Sequence, residues 1–295
     1  MAGHAHDHDH SAKSFGRAFA IGVTLNFGFV VIEAVFGFIA NSMTLIADAG
    51  HNLSDVLGLL VAWGAASMAR RAPTPRFTFG LKKAPILAAL FNSLVLLIGV
   101  GAIAAEAIRR LLHPAPADGL TVSTVAAIGL VVNGSTALLF ARGARRDVNI
   151  RGAFLHMAAD AAVSLAVVVA GLIIFWTGRQ WVDPAMSLAV AFVILWSSIG
   201  LLKESVWMSL AGVPLGIEVD EVEAALVSMD GVIGIHDLHV WPLSTSETAL
   251  TAHLVLPDGS IDELIASAQR LLHDRFHIGH CTLQVERSHL GDSRC

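Results

Sequence analysis

Two short phrases in this chain carry the residue types that bind a divalent metal. His51-Asn52-Leu53-Ser54-Asp55 and His156-Met157-Ala158-Ala159-Asp160 each set a histidine and an aspartate one helical turn apart. Residues at i and i+4 share a helix face, so each phrase presents one nitrogen and one oxygen ligand. Together they make the four-ligand set that tetrahedral zinc accepts. Both phrases lie inside long apolar runs, and ionisable groups at bilayer depth are costly and mark an ion pathway. The aspartates supply charge that offsets dehydration of the ion, and imidazole nitrogen disfavours the hard ions Mg²⁺ and Ca²⁺. Bound metal needs deprotonated ligands, so protons compete with zinc for the same four groups.

The elements that must position these groups are membrane spans. The chain has 295 residues, 55% hydrophobic and only 15% charged, against a globular norm of about 25% charged. Six apolar segments of roughly 20 or more residues are long enough to cross a hydrocarbon core of about 30 Å: residues 15–40, 43–68, 84–112, 120–140, 151–177 and 181–210. The first two form a tight hairpin through Asn41 and Ser42. The loop with Arg70, Arg71, Arg76, Lys82 and Lys83 and the loop with Arg142, Arg145, Arg146 and Arg151 belong in the cytoplasm, because short basic loops resist translocation. Both termini are then inside. The first span is too long for a signal peptide, lacks a convincing cleavage site and carries Glu33. Compact spans with short loops suit a bacterial inner membrane.

Residues 1–213 hold 15 Lys and Arg against 11 Asp and Glu, whereas residues 214–295 hold 4 against 13. A basic inner rim suits an anionic leaflet, and an acidic tail cannot bind nucleic acid. After the helix-breaking Ala-Gly-Val-Pro-Leu-Gly phrase at 211–216 the pattern becomes that of a small α+β domain. An amphipathic helix is expected over 218–229, strands over 232–243 and 248–256, a helix from Ser260, with Glu263 completing a capping box, to 276, and a last strand over 281–286. The divisions are therefore a His-rich leader at 1–14, six spans within 15–213, the cytoplasmic domain at 214–290 and a tail at 291–295. Cys281 and Cys295 form neither a disulfide framework nor a Cys-x-x-Cys zinc site.

The ordered phrases Ala-Asp-Ala-Gly-His-Asn-Leu-Ser-Asp (47–55), Arg-Phe-Thr-Phe-Gly-Leu-Lys-Lys (76–83), His-Asp-Leu-His-Val-Trp (236–241) and Cys-Thr-Leu-Gln-Val-Glu (281–286) resemble the cation diffusion facilitator family, and more closely its zinc-transporting branch. The resemblance covers nearly the whole chain. It implies a homodimeric antiporter that exports cytoplasmic zinc against protons, with a ferredoxin-like metal-responsive domain below the membrane. It also implies discrimination against cadmium by histidine at position 51. His236, His253, His280 and Glu286 resemble the family's cytoplasmic metal positions. His236 and His239 differ by an odd number, so whether they share a strand face turns on a bulge, and His239 ranks below the others.

Further candidates surround these. Asp48, three residues before His51, is placed to orient the imidazole as an outer carboxylate or to pair with a polar group on a neighbouring helix. Asn26, Glu33, Asn52 and Asn133 read as cavity-lining or packing residues. His4, His6, His8 and His10 form a low-complexity tract suited to loose zinc collection. No His, Asp or Glu lies between Met68 and Lys83, so the loop metal site of some relatives has no ligands here. Phe79 and Pro85 stand where relatives often carry tyrosine and glutamate. The ligand types also accept cobalt, nickel or cadmium. A membrane zinc hydrolase is disfavoured by the lack of a His-Glu-x-x-His phrase, and a zinc sensor by the cost of ligands at bilayer depth, so no enzyme activity is expected.

Overall fold

A computed structural model describes Thr24, residues 26–141 and residues 148–288. The chain divides into two compact bodies, one drawn from Met1–Leu60 and Asn92–Ile199, the other from Val61–Phe91 and Gly200–Cys295. Among the described residues, six apolar helices come first: α1 (Asn26–Ile39), α2 (Met43–Ala69), α3 (Ala84–Leu112), α4 (Gly119–Ala141), α5 (Val148–Thr177) and α6 (Val182–Ser209). Helices α2 to α6 are long and apolar enough to cross a membrane. The first expected span begins outside the described residues and ends as α1.

In the first body, Phe29, Leu45, Val100, Val122, Val167, Val190 and Ile194 pack as one buried cluster. Large apolar side chains also point outward, Phe38, Ile98, Leu138, Trp176 and Trp196 among them. Such exposure suits lipid, where apolar surface carries no hydration cost, and in lipid helix association relies on close packing of small residues. That packing is visible between α4 and α5. A Cβ at Gly171 would lie 2.6 Å from the Ser123 nitrogen, and one at Gly119 would lie 2.5 Å from the Gly171 carbonyl oxygen. The Ser123 hydroxyl donates to the Val168 carbonyl at 3.2 Å across the same seam.

The tight turn between α1 and α2 uses a left-handed Asn41 (φ 50°), a conformation asparagine tolerates better than most residues. The first N–H groups of α2 have no partners within their own helix, and Asp183 at the start of α6 supplies them. Its buried carboxylate accepts from the Met43 N–H at 2.7 Å, the Thr44 N–H at 3.3 Å and the Ser42 hydroxyl at 2.5 Å. The Thr44 hydroxyl donates to the Asp183 carbonyl at 2.7 Å. A carboxylate at a helix N-terminus also meets the positive end of the helix dipole.

The second body holds α7 (Val219–Val227), β1 (Gly234–Pro242), β2 (Thr248–Val255), α8 (Ile261–Phe276) and β3 (His280–Glu286). The sheet order is β1-β2-β3, antiparallel between the first two and parallel between the last two. Helix α8 makes the crossover that a parallel pair requires. Its N-cap Ser260 accepts from the Glu263 N–H, and His277 ends it in a left-handed C-cap. Val222, Leu226, Val240, Leu250, Leu254, Leu264, Ala268 and Leu272 form the core. Within this body Lys82 pairs with Glu247, and the Phe79 ring meets the His280 ring edge-on at 5.4 Å.

Candidate metal sites

Helices α2 and α5 bring the four sequence-selected residues together. His156 Nε2 lies 3.3 Å from Asp55 Oδ2 and 3.6 Å from Asp160 Oδ2. His51 Nε2 lies 3.6 Å from Asp55 Oδ2 and 3.7 Å from Asp160 Oδ1. The two imidazole rings stand 6.3 Å apart at 78°. Zinc bonds of about 2.0–2.2 Å in a tetrahedron separate neighbouring ligand atoms by roughly 3.3–3.6 Å, so these distances match the edges of such a tetrahedron. They exceed the usual hydrogen-bond range. Asp55, His156 and Asp160 gather as a group that could hold a metal ion, and His51 Nε2 stands 3.6 and 3.7 Å from the two carboxylates.

Burial is graded across the site. The side chains of His51 and Asp160 are 17% and 7% exposed, whereas those of Asp55 and His156 are 31% and 44% exposed. Access is therefore from the Asp55 and His156 side.

Asp48 does not hydrogen-bond to His51, whose Nδ1 has no hydrogen-bond partner among the described residues. Asp48 turns instead towards Glu33 on α1, the second of the two roles open to it from sequence. Glu33 is fully buried and accepts from the Asn52 amide at 3.4 Å. The Asn26 amide meets the Met157 sulfur at 3.5 Å, next to His156. His4, His6, His8 and His10 lie outside the described residues.

In the second body, direct pairing of His236 with His253 across β1 and β2 sets their rings 4.9 Å apart. Glu286 at the end of β3 completes the group. Its Oε2 is 3.1 Å from His236 Nε2 and its Oε1 is 3.1 Å from His253 Nδ1. The Gln284 amide donates to Glu286 Oε1 at 2.9 Å. Despite its closeness to Glu286, His253 Nδ1 makes no hydrogen bond among the described residues. Two nitrogens and a buried carboxylate thus face one point, a donor set zinc accepts.

His280 does not join them. It pairs with Ala249 at the other end of the parallel ladder, whereas Glu286 pairs with Val255. Six residues at about 3.3 Å each carry it roughly 20 Å along the strand. Cys281 beside it is half-buried, and burial pushes its thiol up. A bulge does intervene between His236 and His239, and it brings in a residue the sequence reading passed over. Asp237 lies 3.1 Å from His239 Nε2 and 3.8 Å from His253 Nε2. On a regular strand Asp237 would point away from His236, so only the irregular register reveals it.

Comparison with known proteins finds two matched domains along the chain. Residues 19–208 match the cation efflux transmembrane domain, and residues 214–288 match the cytoplasmic domain of cation efflux proteins. The chain is 34% identical over 286 residues to a cadmium, cobalt and zinc/H(+)-K(+) antiporter of Bacillus velezensis, covering 95% of this chain and 91% of that one. It is 35% identical over 292 residues to the zinc transporter ZitB of Escherichia coli K12, covering 96% and 92%. Among solved structures, the metal-bound C-terminal domain of the CzcD transporter from Cupriavidus metallidurans is 33% identical over 24% of this chain and 99% of that one, with a TM-score of 0.23. With a transmembrane and a cytoplasmic domain both matched along nearly its whole length, the chain belongs to the cation diffusion facilitator family of metal-efflux transporters.

Proposed function

We propose that this protein exports zinc from the cytoplasm in exchange for protons, by alternating access at His51, Asp55, His156 and Asp160. The observation that carries the reading is the quartet of 3.3–3.7 Å nitrogen–oxygen distances, one within α2, one within α5 and two between them. Two of its groups are imidazoles, which favours zinc over ions that prefer an all-oxygen shell. The names of the relatives support zinc as cargo and protons as counter-ion. Cobalt and cadmium, named for the Bacillus relative, are the second reading for the cargo.

The four groups also account for coupling. Zinc needs both imidazoles neutral and both carboxylates ionised. Protons arriving from the far side convert the ligands to forms that release the ion, and the protonated site returns inward. With the basic loops in the cytoplasm, Asp55 and His156 are the cytoplasmic members of their pairs. They are also the more exposed ones, which supports an inward-facing arrangement. The bacterial inner membrane with both termini cytoplasmic fits the same charge pattern.

His236, His253 and Glu286 would hold a regulatory zinc. Bound there, the ion neutralises part of an acidic tail and favours association of two tails in a homodimer. Nothing in either site requires an enzymatic role.

The test is zinc uptake into proteoliposomes under an imposed pH gradient, with wild type, Asp55→Ala and Asp160→Ala compared. Gradient-dependent uptake lost in both variants is the expected result. Uptake that survives both changes, or that ignores the gradient, overturns the proposal.

A further inference from the structure

The bulge in β1 places a carboxylate where the cytoplasmic metal site needs one. Asp237 has φ 55°, a left-handed conformation that is uncommon outside glycine and that aspartate tolerates better than most residues. The register of β1 against β2 breaks at the same point, between His236 and His239. As a result the Asp237 carboxylate faces two imidazoles, with Oδ1 3.1 Å from His239 Nε2 and Oδ2 3.8 Å from His253 Nε2.

His253 therefore lies between two carboxylates. Its Nδ1 is 3.1 Å from Glu286, in the metal-binding group, and its Nε2 faces Asp237. A neutral imidazole carries its hydrogen on one nitrogen and a lone pair on the other. A carboxylate can only accept, so Asp237 favours the hydrogen on Nε2. The lone pair is then left on Nδ1, beside Glu286, where an ion would sit. Metal-binding histidines commonly turn their second ring N–H towards a carboxylate; at 3.8 Å Asp237 lies beyond hydrogen-bond range and acts on the His253 ring through its charge.

We infer that Asp237 is a positioning residue for the cytoplasmic metal site, fixing the tautomer and the ring orientation of His253 from behind. This rests on the reading of His236, His253 and Glu286 as that site. Asp237 touches the imidazole and not the ion, so its loss weakens binding without changing the set of atoms around the metal.

The left-handed backbone supplies a clean variant. Asp237→Gly removes the carboxylate and is at ease at φ 55°. Asp237→Asn keeps an oxygen acceptor and also tolerates the conformation. The experiment uses the detergent-solubilised chain lacking residues 2–12 and carrying Asp55→Ala and Asp160→Ala, so that metal binding reports the cytoplasmic site. Zinc affinity is measured by competition with a chromogenic chelator, and Co²⁺ absorption reports the ligand set. Asp237→Gly is expected to weaken zinc about 10–100-fold, Asp237→Asn markedly less, and the cobalt bands of both are expected to stay in place. Zinc affinity of Asp237→Gly within about threefold of its parent, well short of the loss expected for an outer carboxylate, overturns the inference. So does a cobalt spectrum altered in Asp237→Asn, which would make Asp237 a direct ligand. His253→Ala tests the underlying reading separately: unchanged affinity there removes the site itself, whatever Asp237 does.

Discussion

Replacing Gly171 by alanine and replacing Gly134 by alanine add the same methyl group to helices that pack against each other, and their effects should have opposite signs. At Gly171 the new carbon would lie 2.6 Å from the Ser123 nitrogen, 2.8 Å from the Gly119 oxygen and 2.9 Å from the Ser123 Cα. All three are backbone atoms, which cannot swing aside, so α4 and α5 must separate. Overpacking of this kind costs about 1–3 kcal/mol, and the gain in helix propensity returns only about 0.8–1.0 kcal/mol. The net loss is up to about 2 kcal/mol. At Gly134 nothing lies within 4 Å of the added carbon, so the propensity gain stands alone, at about 0.5–1 kcal/mol. For a chain of this size about 2–4 °C accompanies each kcal/mol, so the two variants should melt up to roughly 12 °C apart. The assay is thermal unfolding of purified protein in one detergent, followed by intrinsic fluorescence of the tryptophans. A Gly171→Ala protein that melts at or above the wild type would refute the close-packed seam. Gly129→Ala provides an internal gradation, because the atom its methyl would strike is the far end of the Phe29 ring, which can move.

Asp183→Ala should lower stability by roughly 2–4 kcal/mol, since two buried N–H groups and a hydroxyl lose a charged acceptor worth about 1.5–3 kcal/mol per bond before relaxation; the loss of melting temperature in detergent measures it, and a change under 2 °C would contradict the cap. Asp118 caps α4, and hydrogen bonds from Thr121, its hydroxyl first, hold its carboxyl below the usual range. The stability it adds is therefore present above the ordinary carboxylate pKa and disappears as pH falls through the depressed one, so the melting gap between wild type and Asp118→Ala should be small, visible at pH 7 and closed at strongly acidic pH. Burial raises the Cys281 thiol, so less of it is thiolate at neutral pH. Alkylation of the Cys281 peptide, followed by mass spectrometry, should run slower than that of a free cysteine at pH 7.5 and accelerate as pH rises; equal rates would place the thiol in the open.

The quartet of His51, Asp55, His156 and Asp160 was legible because both His–Asp pairs obey helix periodicity, which needs no tertiary information. His51 and Asp55 share a face of α2, His156 and Asp160 share a face of α5, and the structure had only to set those faces opposite each other. Strand ligands were harder. The family resemblance groups His280 with Glu286, but the distance along a strand depends on register against β2, which pairs them with Ala249 and Val255. Asp237 was hidden for a related reason: a bulge reverses the face of a side chain, and nothing in Gly-Ile-His-Asp-Leu-His states where regular pairing stops. Contacts between distant helices left no periodic trace at all. The turn of Asp48 towards Glu33 and the capping of α2 by Asp183 join residues whose sequence neighbours are simply apolar. Glu33 could be recognised as an oddity in its span, but its partners could not be named.

The Asp183 cap also sets a timetable for biosynthesis. The Met43 N–H and the carboxylate that receives it are 140 residues apart. At about 5–20 residues per second, α6 leaves the ribosome roughly 7–28 s after α2. During that interval the Met43 and Thr44 N–H groups lack their carboxylate acceptor, while the Leu45 N–H has the Ser42 hydroxyl beside it, and the turn must stay hydrated near the membrane surface. The hairpin of α1 and α2 is thus inserted early but finished last. A nascent chain that stalls before α6 keeps His51, Asp55, His156 and Asp160 and still lacks the group that fastens the helix bearing half of them.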